Sequence, residues 1–156
     1  MKLSTKGRYG LRALIDLAQY SEQEAVSISS ISQRQNISES YLEQLVAKLR
    51  KAGLVTSIRG AQGGYLLARP ASTISVGDIL RALEGNLEAV ECTAHTEEGC
   101  DGSELCVTKY VWQRINESIA KTVDEMMLDQ LVEESRKAQK KRTNQSVDYG
   151  SKSCLG

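Results

Sequence analysis

The sequence predicts a mainly α-helical protein with one small β-hairpin. Apolar residues recur at three- and four-residue spacing in several segments, and residues suited to capping a helix precede these segments. Only one pair of neighbouring segments is rich in β-forming residues. A chain of 156 residues is long enough for one domain of ordinary size, or for a small domain with an appendage that finds a partner.

The first two predicted helices lie near the amino terminus. Apolar side chains with helical spacing indicate a helix from Thr5 to Tyr20. After a polar break, a shorter helix begins at Ser27 or Ser29, because either hydroxyl can accept hydrogen bonds from the free amides of a helix start. We expect this second helix to end near Asn36.

The third predicted helix runs from an N-cap at Ser38 to Ala52. Gly53 can end it, since glycine readily adopts the left-handed conformation that follows a helix. Four residues form one apolar stripe along it: Leu42, Leu45, Val46 and Leu49. Two helices joined by a tight turn, the second with a polar outer face, are typical of a helix-turn-helix.

A β-hairpin follows directly. Residues 54–58 and 64–68 are β-prone and flank a glycine-rich tip at residues 59–63. A helix-turn-helix with such a hairpin is a winged helix, and Pro70, the one proline, closes the domain. We therefore assign residues 1–70 to a winged helix-turn-helix DNA-binding domain.

The charge distribution favours DNA as the partner of this domain. The net charge of the chain is zero, but residues 1–70 contain ten Lys and Arg against five Asp and Glu, and the remainder contains ten against fifteen. A basic region suits the DNA backbone, because each neutralised phosphate releases a condensed counterion. Ordinary solvated faces are the alternative explanation of the same charges.

The rest of the chain divides into four segments. Residues 71–90 are predicted to form a connecting helix and linker, and 91–107 an acidic loop with three cysteines. Apolar spacing predicts one long helix over 108–138, which a two-fold homodimer would cover. The alternative is that its stripe folds back on its own domain. Residues 139–156 are expected to be disordered.

The third helix and the hairpin tip carry the predicted DNA contacts. Side chains near the start of a recognition helix face the major groove, where Ser, Gln and Glu can bond base edges. Arg59 could enter the narrow minor groove, with Gly60, Gly63 and Gly64 allowing close backbone approach. A solvated helix face and an ordinary charged turn are the alternatives. The candidates on the helix are Ser40, Glu43 and Gln44 for base readout, Tyr41, Lys48 and Lys51 for phosphates, and Ser38, on the same side, as a further DNA contact.

Three cysteines form a second candidate site. The chain has neither an apolar run of the ~20 residues that span a bilayer nor an apolar signal core, so we expect it in the cytoplasm, where thiols stay reduced. Cys92, Cys100 and Cys106 are spaced C-x7-C-x5-C, unlike zinc ribbons or ferredoxins. Thiolates favour soft metals and iron–sulfur clusters, and free or redox-active thiols are the alternative. Cys154 is expected to be an unrelated exposed thiol.

From residue 2 to about residue 132 the chain resembles the IscR-type family of iron–sulfur cluster transcription regulators. The resemblance rests on residues 3–9, 37–45, 49–55 and 59–65, and on three cysteines followed by Trp112. It implies a homodimeric winged-helix regulator that holds an iron–sulfur cluster, expected to be 2Fe-2S. It also implies that Glu43 discriminates between operator classes and that Arg59 enters the minor groove.

The fourth cluster ligand does not carry over from the resemblance. Members of this branch use a histidine three residues after the third cysteine, where this chain has Lys109. Nitric-oxide sensors of the family use an aspartate near the amino terminus, where this chain has Arg8. His95, the one histidine, could serve, and an exposed histidine without a role is the alternative. Oxygen donors in range are Glu97, Glu98, Asp101 and Glu104.

The predicted function is sequence-specific transcription regulation through an iron–sulfur cluster, controlling iron–sulfur assembly or related stress genes. A metal-free thiol-based redox repressor of the same fold is the main alternative. An electron-transfer protein is a weaker one, because it would leave the hairpin and recognition helix without a purpose. With one histidine and no phosphate-cradling loop, we predict no enzymatic activity and no small-molecule substrate.

Overall fold

The computed structural model describes residues 3–90 and 107–152, with side chains through residue 145. The described chain is mainly helical with one two-stranded sheet, so the predicted fold class is confirmed. None of its helices is both long and apolar enough to cross a membrane. The elements are α1 (Thr5–Tyr20), α2 (Ile28–Gln35), α3 (Glu39–Lys51), β1 (Val55–Ile58), β2 (Gly64–Leu67), a 3-10 turn (Ala71–Thr73), α4 (Val76–Glu84), α5 (Lys109–Glu125) and α6 (Leu128–Lys152).

Local capping sets the bounds of the helix-turn-helix. The side chains of Ser27 and Ser38 accept hydrogen bonds from the backbone N–H groups that open α2 and α3. Asn36 ends α2 in the left-handed conformation at φ 53°, and Gly53 follows α3 at φ 76°. The sequence-based ends of these helices therefore agree with the structure.

The hairpin pairs β1 with β2 in antiparallel register from Val55–Leu67 to Ile58–Gly64. Val26, just before α2, adds a bridge to Tyr65, with N–O distances of 2.9 and 2.8 Å. A Cβ on Gly64 would lie 2.6 Å from the Val26 carbonyl oxygen, so this glycine is required by the close approach of two backbones. The hairpin is thereby attached to the helix-turn-helix.

The main core unites the helix-turn-helix with later elements. Leu14 of α1 and Leu45 of α3 are almost completely buried, as is Ile79 of α4. Leu128 at the start of α6 belongs to the same core. The carboxyl-terminal helices are therefore partly built into the amino-terminal domain.

The expectation of one continuous helix over residues 108–138 is wrong. α5 ends at Glu125 and α6 begins at Leu128, with Met126 in an extended conformation at φ −84° and ψ 117°. The backbone is redirected because it pairs with the segment before α4: Val76 N–H donates to Met126 at 2.8 Å, and Leu128 N–H donates to Ile74 at 2.9 Å. These bonds satisfy groups that a helix break would leave free.

The expectation of a tail without structure is corrected over residues 139–152, because α6 continues to Lys152. The helix is nucleated where Leu128 and Val132 enter the core, and extending a helix costs much less than starting one. Residues 153–156 lie outside the described residues.

Candidate nucleic-acid interface

The outer face of α3 is polar and exposed. Ser40, Glu43, Gln44 and Lys48 are exposed, while the opposite stripe of the helix is buried. Among the described residues, none of these four side chains makes a hydrogen bond or an ion pair within the chain. Their donors and acceptors are therefore available to base edges and phosphates.

The start of α3 is held against α1. Ser38 accepts a hydrogen bond from the backbone N–H of Tyr41 at 3.3 Å. Tyr41 is half-buried, with its hydroxyl 3.0 Å from Thr5 Oγ1 and its ring edge-on to Tyr9 at a centroid distance of 6.1 Å. These contacts hold the start of α3 in a fixed position against α1. A phosphate contact for Tyr41 stays a prediction.

The start of α1 is in turn held by α4. Glu84 Oε1 accepts three hydrogen bonds, from Ser4 N at 2.9 Å, Ser4 Oγ at 2.6 Å and Gly7 N at 2.8 Å. Burial alone would raise the pKa of Glu84, but these bonds and the nearby charge of Lys6 outweigh it and lower the pKa below its ordinary value. Sequence reasoning missed this cap, because the partners lie about 80 residues apart and no local pattern joins them.

An ion pair between a buried carboxylate and a partly exposed guanidinium fastens α2 to α1. The Asp16 side chain is only 1% exposed, and Arg34 bonds both of its oxygens at 2.8 to 3.1 Å. Gln35 Nε2 donates to the same carboxylate at 2.9 Å, and the Arg34 guanidinium lies 4.0 Å from the Tyr20 ring centroid. The hydrogen bond to Asp16 raises the pKa of Arg34. An acidic residue on the apolar face of the first predicted helix was the sequence signal for this pair.

The hairpin tip presents Arg59 to solvent. Gly60 adopts φ 118°, a conformation that favours glycine, and accepts a hydrogen bond from Gly63 N–H at 3.0 Å. A Cβ at Gly60 would meet nothing within 4 Å, so its backbone is open to a close neighbour. Gly63 and Gly64, also expected to allow close approach, instead lie against the backbone of their own chain, since a Cβ on Gly63 would collide with the Ile58 carbonyl oxygen and one on Gly64 with that of Val26.

All four cysteines and His95 lie outside the described residues, so the predicted cluster ligands Cys92, Cys100 and Cys106 stay predictions. Within the described ranges no group of three or more His, Cys, Asp and Glu residues could hold a metal ion. The chemistry of the three thiols fits an iron–sulfur cluster. Lys109 is the first residue of α5, and its ammonium has no lone pair to offer a metal.

One side of α5 is apolar and uncovered. Tyr110, Val111 and Ile115 are exposed, whereas Ile119 and Val123 pack against a small cluster of buried residues. This cluster is formed by Val76, Leu80 and Leu87, from α4 and the chain just after it. α5 is therefore half-attached, with apolar surface left on its free side.

Comparison with known proteins gives a consistent result for most of the chain. A family model named Rrf2 and described as an iron-dependent transcriptional regulator matches residues 3–134. The HTH-type transcriptional regulator IscR of Yersinia enterocolitica is 43% identical over 132 residues, which cover 85% of this chain and 79% of that protein.

Solved structures agree with this result. IscR of T. potens is 47% identical, covers 89% of this chain and 91% of its own, and has a TM-score of 0.71. CymR, described as the global cysteine regulator of B. subtilis, is 43% identical, covers 85% and 97%, and has a TM-score of 0.70. The chain is thus similar both to an IscR and to a cysteine regulator.

Proposed function

Because the chain belongs to the Rrf2 family of transcriptional regulators, we propose that it binds operator DNA as a homodimer and that an iron–sulfur cluster modulates this binding. Members of this family bind DNA and regulate transcription, and the relatives named above are transcription regulators and not enzymes. The observation that carries the proposal is the exposed polar face of α3, unpaired within the described residues and held by the contact of Tyr41 with Thr5.

In the proposed complex, the start of α3 enters the major groove. Ser40, Glu43 and Gln44 bond base edges there, with Ser38 at the opening of the helix. A serine hydroxyl and a glutamine amide can each donate and accept, and a glutamate can accept from cytosine. The lysines of the helix, Lys48 and Lys51, and the half-buried Tyr41 lie at the edge of this surface and contact phosphates.

The hairpin tip reads the neighbouring minor groove. Arg59 is exposed and makes no hydrogen bond or ion pair within the described chain. The positive φ of Gly60 turns the backbone tightly beside it without a side chain in the way. A guanidinium is attracted to a narrow minor groove, because the negative potential is enhanced there.

A second copy of the chain covers the free side of α5. Val111 and Ile115 lie one helical turn apart, with the exposed Tyr110 beside them. Surface of this kind marks an interface, and most soluble homo-oligomers are two-fold symmetric. A dimer would also set the spacing between two recognition helices to match two half-sites of DNA.

Cys92, Cys100 and Cys106 hold the cluster in this proposal, and the fourth ligand is unassigned. When bound, the cluster supplies a redox-active centre whose occupancy depends on iron and on oxidants. The thiols must be deprotonated to serve as ligands, so cluster binding is coupled to the pH and to the order of the segment that carries them.

The two helices that flank the cysteine segment are connected to the DNA-binding surface. Arg81 of α4 pairs with Asp124 of α5 through N–O contacts of 2.6 and 3.0 Å. Glu84 of α4 caps α1, and α1 holds α3 through Thr5 and Tyr41. A change in the segment can therefore alter the placement of α3, by as much as its free energy differs between two arrangements.

The cluster proposal is tested by replacing Cys92, Cys100 and Cys106 together with Ala and purifying the protein without oxygen. We expect the visible absorption, iron and sulfide of the wild type to be lost, and operator affinity or choice to change while the dimer persists. Cys154→Ala is the control and should change none of these. A colourless wild type whose DNA binding responds to thiol oxidation would instead support a metal-free redox repressor.

The DNA-binding mode is tested by Arg59→Ala. The substitution should weaken operator binding by about 1–3 kcal/mol, roughly 5- to 150-fold, if the guanidinium reads the groove. The matched control is Arg69→Ala near the hairpin base, whose guanidinium already pairs with Asp78 at 3.0 Å. Fluorescence anisotropy with labelled operator measures both, and wild-type affinity in the Arg59→Ala variant would remove Arg59 from the interface.

A further inference from the structure

The charge changes sharply along the two carboxyl-terminal helices, α5 and α6. Residues 136–152 contain six Lys and Arg and one acid, whereas residues 109–135 contain three basic and six acidic residues. Lys140, Lys141 and Arg142 are consecutive and exposed. The carboxyl-terminal part of α6 is therefore a compact source of positive charge.

Specific contacts fasten this part of α6 along α1. The Gln19 side chain donates to Gln139 at 2.8 Å and accepts from Ser135 at 3.0 Å. Arg136 bonds the Gln19 carbonyl oxygen at 3.4 Å and the Glu22 carboxylate at 2.7 Å. These contacts hold the start of the basic segment beside α1, and Arg142 of that segment lines a defined place.

That place is an open crevice beside the end of α2. Arg12, Arg34 and Arg142 line it from α1, α2 and α6. Arg34 is neutralised by Asp16, whereas Arg12 bonds the side chain and the carbonyl oxygen of Gln35, the latter at 2.6 Å, lies 5.4 Å from the Tyr9 ring centroid, and forms no ion pair within the described residues. The crevice therefore combines positive charge from α1 and from α6.

The same crevice adjoins the helix-turn-helix. Gln35 is the last residue of α2, and Ser38 caps α3 after only two further residues. When the second helix of this motif lies in the major groove, the first helix crosses the sugar–phosphate backbone. In the proposed complex, basic residues beside α2 therefore lie next to phosphates of the duplex.

The lysines of this surface lack compensation within their own helix. Lys137, one turn earlier, pairs with Glu133 at 3.3 Å and Glu134 at 3.4 Å. Lys140 and Lys141 have basic residues one turn before them and no acid one turn after them. Like charges at these spacings destabilise an isolated helix, and binding a polyanion would remove that penalty.

We propose that Arg12, Lys140, Lys141 and Arg142 form a second phosphate-binding surface, which binds the duplex backbone outside the base pairs read by α3 and the hairpin. The inference rests on the proposed insertion of α3 into the major groove. It makes the end of α6 part of the DNA-binding surface, with a contribution to affinity that does not depend on base sequence.

The experiment replaces Lys140, Lys141 and Arg142 together with Gln in the full chain. Binding is measured by anisotropy to a duplex of the operator alone and to one extended by about one helical turn, ~10 base pairs, on each side. On the extended duplex we expect affinity to fall about tenfold or more, and the slope of log affinity against log salt to shrink by about 0.9 for each phosphate that the variant no longer neutralises. On the short duplex the decrease in affinity should be much smaller.

Lys137→Gln is the matched control, because it removes a charge from the same helix that is already paired with two glutamates. It should leave affinity and salt slope unchanged. If the triple variant binds both duplexes with wild-type affinity and slope, the inference is overturned, even where Arg59→Ala shows that the proposed DNA-binding mode is right. The inference would also be overturned if the triple variant changed only the oligomeric state of the protein and not its DNA binding, because the basic surface would then contact protein.

Discussion

α5 and α6 continue one apolar pattern in the sequence but use it in opposite ways. At the start of α5, Tyr110 is 74% exposed and Val111 53% exposed. At the start of α6, Leu128 is completely buried and Val132 is 6% exposed. An amphipathic stripe therefore shows that a helix needs a partner, but not which partner it has.

The short break between the two helices creates this difference. The hydrogen bonds of Met126 and Leu128 to the segment before α4 place the start of α6 over the main core. α5 lies before the break, and its apolar side chains Ile119 and Val123 pack against the small cluster around Leu80. The alternative interpretation of the predicted long helix, that its stripe folds back on its own domain, holds for the second half. The first half leaves apolar surface exposed, and a second copy that covers it stays a proposal.

The largest effect that separates the two helices should come from Leu128→Ala. Removing a completely buried leucine leaves a cavity in the main core, and we expect a decrease of about 2–5 kcal/mol in the free energy of unfolding. Urea denaturation followed by circular dichroism measures it. Met126→Ala, at a side chain 38% exposed, is the control and should cost less than ~1 kcal/mol. If the decrease for Leu128→Ala were as small as that for Met126→Ala, α6 would not be part of the cooperative core.

A smaller effect, on assembly, is expected for Ile115→Glu on the free side of α5. A carboxylate at the proposed dimer interface must be desolvated without a partner, so the dissociation constant should rise about tenfold or more. Sedimentation equilibrium measures this, while the helical content of the protein should not change. Lys121→Glu alters charge at an exposed residue farther along α5, six residues after Ile115, and serves as the control. A dimer that survives Ile115→Glu with its affinity intact would place the interface elsewhere.

The amino-terminal elements could be predicted because their signals are local. Serine caps at Ser27 and Ser38 and the glycine after α3 act within a few residues, and the structure shows each of them. The polar face of α3 also follows from spacing alone, since the opposite stripe must be buried.

Other features could not be predicted because they depend on residues far apart in the sequence. The cap of Glu84 on Ser4 spans 80 residues, and the bond between Ser135 and Gln19 spans 116. The break at Met126 arises from pairing with Ile74 and Val76, which no local pattern announces. These long-range interactions decide how α4 and α6 are attached to the proposed DNA-binding surface.

The smallest expected effect concerns the polar attachment of α5, the ion pair between Arg81 and Asp124. Its side chains are 42% and 46% exposed, so Arg81→Gln should cost only a few tenths of a kcal/mol at pH 7. The hydrogen bond from Arg81 lowers the pKa of Asp124. A carboxyl whose folded pKa is lowered stabilises the protein above its unfolded pKa, about 3.9, and this stabilisation disappears as the pH falls through the folded value. The difference in unfolding free energy between wild type and Arg81→Gln should therefore be present at pH 7 and vanish at strongly acidic pH.

Arg69→Gln breaks a similarly exposed pair with Asp78 that does not involve α5, and provides the control. A difference of more than ~2 kcal/mol for Arg81→Gln alone, or one that persists in strong acid, would mean that α5 is attached by more than this exposed pair and the small cluster around Leu80.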